Sequence, residues 1–389
     1  MRVTMMVRCL AMMRGGGETR HLAWARELTA LGVDVQIITG VPFVSGRARH
    51  PVEGVDVEVV RSPYARDFVY RCQNRRGFGR LTMTALHVDE ELFCRAAWRR
   101  IAALRRAPDV VHAHALHQAA RLRLKAIPVV INLPGAPNPR YLDDLREADA
   151  LVGDGWAAAN LPATLGAAVD RLPKGVDADR FSPEGSTARQ RLGLTGKRVV
   201  LTVARLVPIK NVRRLVDAMA LVRARVVDAH LVVVGDGPEA TALRQHAETL
   251  GIAEAVTFAG YIPHGETPEF YRAADVFALS SDFDNSPNVV LEAMASGLPV
   301  ATTDVGGVRD LVADRTGATP GAMVVPADAA ALAAAVERFL IAPDLARAAG
   351  VFNRNRATSE FSWRASAMQL LDVYHRVVSA RRGLSRASA

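Results

Sequence analysis

Strand-like and helix-like stretches alternate along almost the whole of this 389-residue chain, and that rhythm restricts the fold more than any single motif does. Val3 to Val7 reads as a strand, followed by Gly15-Gly16-Gly17 and a helix with Leu22, Ala25, Leu28 and Leu31 on one face, stopped by Gly32. Val33 to Thr39, Val110-Val111 and Pro128 to Ile131 follow as strands. A second cycle opens near Arg198. Val199 to Val203 is a strand, and Asn211 caps a helix bearing Val212, Leu215, Val216, Met219 and Val222. Strands at Leu231 to Val234, Val256 to Phe258, Val276 to Ala278 and Val300 to Thr303 continue the pattern, with a helix over Pro287 to Ser296. Strands separated by helices call for parallel sheets covered on both faces.

The length suits two domains at roughly 100–200 residues each. Leu172-Pro173-Lys174-Gly175-Val176-Asp177 reads as the linker. The expected division is residues 1–173 plus 366–389 against 174–365, two Rossmann-like doubly wound α/β domains facing a central cleft. Ligands in such sheets gather beyond the carboxyl ends of the strands. A chain 50% hydrophobic and 23% charged is globular in composition, which argues against disorder, collagen or a coiled coil. No apolar run approaches the ~20 residues of a membrane span. Cys9, Cys72 and Cys94 are odd in number and lack CxxC spacing, which removes a disulfide scaffold or zinc finger and suggests a reducing compartment. The short apolar start is read as a first strand and not a signal peptide.

The net charge of +9 is concentrated in the first half. Residues 61–80 hold six arginines against Asp67, and residues 95–125 hold eight basic residues against Asp109. Such surfaces attract phosphate-bearing partners, whether substrate, anionic lipid or nucleic acid. A merely solvated arginine-rich face explains them equally well. Nucleic acid is set aside, because no helix-turn-helix, zinc or aromatic RNA-binding signature accompanies the charge.

Three constellations carry chemistry. In Ser280 through Pro299 a loop runs into a helix expected to be capped by Ser286 with Pro287 as its first residue. The amides of that first turn and the helix dipole suit an anion. Asp284 precedes the helix, and Glu292 lies one turn beyond Asn288, roughly 6 Å deeper. Two acids bracketing a phosphate site suit hydroxyls on either side of a diphosphate. Taken alone, Glu292 reads as a surface acid and Asp284 as a turn residue. The second constellation, Arg205 and Lys210, sits on a strand–helix loop where two cations can clamp a diphosphate and neutralise its growing charge. The third is the glycine run before Glu18, where backbone amides can approach a phosphate or sugar. It is neither a complete GxGxxG fingerprint nor a P-loop. Gly306-Gly307 is either another close backbone approach or an ordinary turn.

Together these residues resemble the family-4 retaining glycosyltransferases of the GT-B fold. The resemblance runs through the Gly-Gly-x-Glu of Gly15-Gly16-Gly17-Glu18, Asp109 to His114, Gly175-Val176-Asp177 with Arg180-Phe181, Arg205 with Lys210, Val234 to Pro238, Phe258 to Tyr261, Leu291 to Ala295 and the closing Phe361 to Tyr374. It implies a nucleotide-sugar donor, with UDP as the expected carrier, and a hydroxyl acceptor that is a small molecule, glycan or lipid. Arg205 and Lys210 would grip the diphosphate, Glu292 the ribose, and Asp284 the transferred sugar. Asp284 stands where the family has glutamate, one methylene longer. Ser286, Pro287 and Asn288 would touch sugar or phosphate, Gly16 and Gly17 would face donor and acceptor, and Tyr261 marks the turn that meets the base. Catalysis is assigned to Arg205, Lys210 and Asp284.

One departure stands out. Pro134 replaces the histidine that many members carry near the donor sugar, which leaves His114, His117 and Asn132 as acceptor-side candidates. His112 and His114 share a strand face, but no third metal ligand is evident. Asp177-Ala178-Asp179 and Asp282-Phe283-Asp284 imitate a metal-binding DxD in unsuitable places, so no metal and no cofactor beyond the nucleotide sugar are expected. The expected location is cytoplasmic. A peripheral place at the inner membrane surface stays open, as does a soluble acceptor. Rival readings are a nucleotide-sugar epimerase of the same shape and a catalytically silent nucleotide-sugar binding protein.

Overall fold

A computed structural model describes residues 1–12, 16–42, 52, 54–63, 79–185, 187–314 and 316–387. Gly15 and most of the arginine-rich stretch 61–80 lie outside the described residues. Two compact units emerge. The first contains Met1–Lys174 and Trp363–Ala389, the second Gly175–Ser362. The chain thus changes unit at 174/175 and 362/363, where the sequence suggested 173/174 and 365/366.

The first unit holds a seven-stranded sheet of β1 (Arg2–Met6), β2 (Asp34–Val41), β3 (Asp56–Arg61), β4 (Val110–His114), β5 (Val129–Leu133), β6 (Ala150–Gly153) and β7 (Val169–Arg171), in the order β3-β2-β1-β4-β5-β6-β7. Every pairing is parallel. Alternate residues of these strands face opposite layers. Met6, Val111, Ala113, Val129 and Ile131 pack under the helix Gly79–Ala102, against Phe93 and Trp98. Val3, Met5, Val110 and Val130 pack on the other face against Trp24, Leu28, Leu370 and Tyr374 from the helices Gly16–Ala30 and Trp363–Ala387.

The second unit has six strands, β8 (Arg198–Val203), β9 (Ala229–Val234), β10 (Val256–Gly260), β11 (Val276–Leu279), β12 (Val300–Thr303) and β13 (Ala322–Val325), again all parallel and ordered β10-β9-β8-β11-β12-β13. Its two core layers are drawn entirely from residues 176–361. Burial on both faces explains the near-continuous apolar runs in β8 and β9.

In each sheet the strand order reverses once, between β1 and β4 and between β8 and β11. At such a switch point neighbouring connections leave in opposite directions and open a crevice at the carboxyl ends. The loops after β8 and β11 carry Arg205, Lys210 and Asp284; the one after β1 leads into the helix that begins with Gly16 and Gly17, and the one after β4 carries His117. Among the described residues no helix is long and apolar enough to cross a membrane.

Candidate active site

In the second unit the chain leaves β8 through Ala204 and Arg205. Behind this loop runs Gly235-Asp236-Gly237, close enough that a Cβ on Gly235 would lie 1.9 Å from the Ala204 carbonyl oxygen and one on Gly237 2.3 Å from that of Leu206. Gly235 also has φ +130°. Only glycine permits this approach, and Leu206 N–H donates to Asp236 O across it at 2.9 Å. Arg205 is exposed. Lys210 ends a short 3₁₀ turn, after which Asn211 (φ 41°) caps the helix Val212–Arg223 by accepting from Arg214 N–H.

A polar brace joins this loop to the one after β11. Asp282 accepts from Asn211 Nδ2 at 3.1 Å and from the Arg214 guanidinium at 2.6 Å. Arg214 also donates to Ser280 O at 2.7 Å, Ser280 Oγ to Lys210 O at 3.2 Å, and Asp282 N–H to Ile209 O at 2.9 Å. The brace presents Lys210 to Asp284, and the two form an ion pair with little exposure of either side chain. The aspartate is long enough for that contact. Behind it, Gly307 N–H donates to Asp284 O at 3.2 Å, and a Cβ on Gly306 would sit 1.7 Å from the same oxygen. Gly306-Gly307 is therefore a close approach of backbone to backbone.

The following helix spans Asn288–Ala295, with Pro287 as its N-cap (φ −73°, ψ 117°) and no side-chain cap bond. This corrects the expected cap, Ser286, and the expected helical start at Pro287. Ser286 is instead buried, at 6% exposure, beneath the loop. Glu292 is no surface acid: it is 7% exposed, and both carboxylate oxygens are engaged. Tyr271 OH donates to Oε2 at 2.7 Å, and His264 Nε2 lies 3.0 Å from Oε1. Burial, then the Glu292 charge, push the Tyr271 phenol well above its ordinary range. Neither partner carried a sequence signal, since they lie 21 and 28 positions from Glu292. Tyr261 projects into solvent, 65% exposed.

In the first unit Gly16 and Gly17 are the first residues of the helix Gly16–Ala30, not part of a loop ahead of it. A Cβ on Gly17 would fall 2.1 Å from His114 Nε2, so glycine lets the helix start rest directly on that ring. Asn132 Nδ2 donates to Val152 O, which turns Oδ1 toward His114 Nδ1 at 3.2 Å and makes that nitrogen the donor. His21, which no sequence pattern singles out, completes an imidazole cluster with the buried His112 and the half-buried His114. Its ring lies 4.4 Å from His114 and 5.0 Å from His112, and its Nδ1–H donates to Gly17 O at 2.8 Å. His112 meets Tyr374 OH at 2.6 Å.

His117 does not join this cluster. Its Nδ1 lies 3.2 Å from Glu90 Oε2 and its ring stacks on Tyr141 at 4.5 Å, beside His87. Of the two DxD imitations, Asp177 closes a local turn by accepting from Arg180 N–H, and Asp282 serves the brace. Among the described residues no group of three His, Cys, Asp or Glu side chains is placed to hold a metal ion.

The family described as "Glycosyl transferases group 1" matches residues 186–356, most of the second unit. A 2-deoxystreptamine N-acetyl-D-glucosaminyltransferase from Streptomyces fradiae is 31% identical over 82% of this chain and 80% of its own. A GDP-mannose-dependent alpha-(1-6)-phosphatidylinositol monomannoside mannosyltransferase from Mycolicibacterium smegmatis is 38% identical over 53% of this chain and 56% of its own; this chain spans about half the length of such relatives. Sucrose-phosphate synthase from Thermosynechococcus elongatus superposes with a TM-score of 0.77 at 21% identity, over 97% of this chain and 99% of that one, and so shares its fold. The extent of the Streptomyces match, together with two parallel-sheet units of this kind, places the chain among the group 1 glycosyltransferases of the GT-B fold.

Proposed function

We propose that the protein moves a sugar from a nucleoside diphosphate sugar to a hydroxyl acceptor, keeping the anomeric configuration. The observation carrying this reading is the position of Arg205, Lys210 and Asp284 on the two loops that flank the strand-order reversal of the second sheet. In the proposed reaction the bond from the anomeric carbon to the diphosphate breaks and a bond to the acceptor oxygen forms on the same face. The departing diphosphate oxygen takes the acceptor proton, so no separate protein base is needed. Arg205 and Lys210 stabilise the charge that develops on the diphosphate. Asp284 holds Lys210 in place until the donor arrives, then lies beside the transferred sugar. Glu292 takes the ribose, and Ser286 to Asn288 supply amides to sugar or phosphate. On the first unit His114, with Asn132 behind it and Gly17 beneath it, is the acceptor-side group. His117 is assigned to the neighbouring Glu90–Tyr141 cluster.

The test is steady-state transfer with Arg205→Ala and Lys210→Ala. Each is expected to lower turnover by roughly 10²–10³, as loss of one charge-stabilising donor does elsewhere. Turnover within a few-fold of the unaltered protein would remove both residues from the mechanism. For the carrier base, UDP is the first expectation, and the mannosyltransferase relative makes GDP the rival. Melting-temperature shifts with each decide between them. For the acceptor, the exposed Arg95, Arg99, Arg100, Arg105 and Arg106 support peripheral contact with an anionic membrane. Co-sedimentation with anionic but not neutral liposomes, weakened by salt, is the expected result; indifference to lipid charge would discard the membrane contact.

A further inference from the structure

Glu292 is held by two groups of opposite character. Tyr271 has no exposed surface, stands edge-on to Phe181 at 5.5 Å and stacks on Phe277 at 5.9 Å. Its hydroxyl donates to Oε2, and the packing leaves the ring nowhere to go. The His264 side chain is 44% exposed, sits on the loop between β10 and the helix Pro268–Arg272, and lies tilted against the Phe181 ring at 5.5 Å. A carboxylate oxygen can only accept, so His264 offers Oε1 an N–H donor. A ribose hydroxyl would offer the same oxygen an O–H donor.

We infer that Tyr271 is the positioning residue that fixes the Glu292 carboxylate, and that His264 is an exchangeable partner whose place on Oε1 a donor ribose hydroxyl takes. The inference rests on the reading that the second unit binds the donor nucleotide. The buried bond sets the plane of the carboxylate and keeps Oε1 aimed outward. The solvent-facing bond satisfies that oxygen until a nucleotide displaces it. Selectivity for ribose over deoxyribose then depends on Tyr271, although that side chain touches no ligand.

Calorimetric titration of the full chain with UDP and GDP, each against its 2′-deoxy and 3′-deoxy forms, tests this. The unaltered protein should prefer the ribonucleotide to at least one deoxy form by about tenfold, the scale of one hydrogen bond to a charged group. Tyr271→Phe should reduce that preference to about twofold or less while leaving the affinity for that deoxy form within about threefold, a pattern that general loosening of the fold would not produce. His264→Ala should tighten ribonucleotide binding by about threefold, because nothing then has to be displaced. Full selectivity in Tyr271→Phe would overturn the positioning role, and weaker ribonucleotide binding in His264→Ala would overturn the exchange. Should Tyr271→Phe not fold, the direction of change in His264→Ala decides alone. Absence of any nucleotide binding by the unaltered protein would refute the donor reading and this inference with it. Tight binding without ribose selectivity would refute only the inference.

Discussion

A histidine with no exposed surface is stable in a fold only while it is neutral, and His112 is such a residue. Burial above all, with the nearby charges of His114 and Arg20, brings its pKa down to about 3. His21 beside it is likewise lowered, chiefly by burial and then by His114 and His112. In the unfolded chain such imidazoles take up protons below about pH 6.5. For His112 the unfolded state therefore binds more protons throughout the window from 6.5 down to about 3. The stability these side chains contribute is complete above pH 6.5 and is lost as the pH falls. The expected loss from His112 is about 1.4 kcal/mol per pH unit within that window, and His21 adds to it in the same direction. Urea midpoints at pH 7, 6 and 5 should fall more steeply for the unaltered protein than for His112→Gln, and parallel slopes would refute the assignment. This cluster is only half legible in the sequence. His112 and His114 share a strand face by simple alternation, but His21 comes from another element and nothing in its spacing announces the meeting. Tyr271 and His264 were hidden from the Glu292 reading for the same reason. The sequence marked the groups that bear charge at the switch point and was silent on the neutral groups that aim them.

Between elements, the informative residues are those whose missing Cβ brings two segments together. Gly306 has φ +52°, and its Cβ would meet the Asp284 carbonyl oxygen at 1.7 Å. Gly306→Ala must therefore push away the loop that carries Asp284. Gly251 has φ +68° with nothing within 4 Å of a Cβ, so alanine there incurs backbone strain alone. Gly251→Ala is expected to cost about 1 kcal/mol and leave transfer unchanged, whereas Gly306→Ala should cost about 1–3 kcal/mol and reduce turnover by at least about tenfold. Chemical denaturation paired with transfer rates separates the two, and equal turnover in both variants would show that the Gly306 contact does not position Asp284. Gly306-Gly307 could be read two ways in the sequence because a dipeptide does not reveal what lies opposite it. The helix after Asp284 starts one residue later than the sequence suggests, since Ser-Pro satisfies two capping patterns and only the backbone angles distinguish them. Strands β3, β6, β7 and β13 leave little trace in the sequence. Three are of three or four residues, and the fourth, β3, lies half-buried at the sheet edge, so none offers a long periodic signal.

For the whole molecule, the two-unit α/β plan was legible because both sheets are parallel and buried on each side, which writes long apolar runs into the sequence. What that plan implies for binding can be measured through an accident of composition. All four tryptophans, Trp24, Trp98, Trp156 and Trp363, belong to the first unit, and residues 175–362 contain none. Tryptophan fluorescence thus follows unfolding of the first unit, while circular dichroism and calorimetry follow both. If donor recognition resides in Arg205, Lys210 and Glu292, a nucleoside diphosphate at about 100 times its Kd should stabilise the second unit by about 2.7 kcal/mol, and raise its midpoint by roughly 5–10 °C. The fluorescence midpoint should stay where it was. Arg205→Ala should abolish most of the calorimetric shift without moving the fluorescence curve. A nucleotide that moved the fluorescence transition as far as the calorimetric one would mean that residues of the first unit carry a comparable share of the binding energy, and the assignment of the diphosphate grip to the β8 and β11 loops would fail.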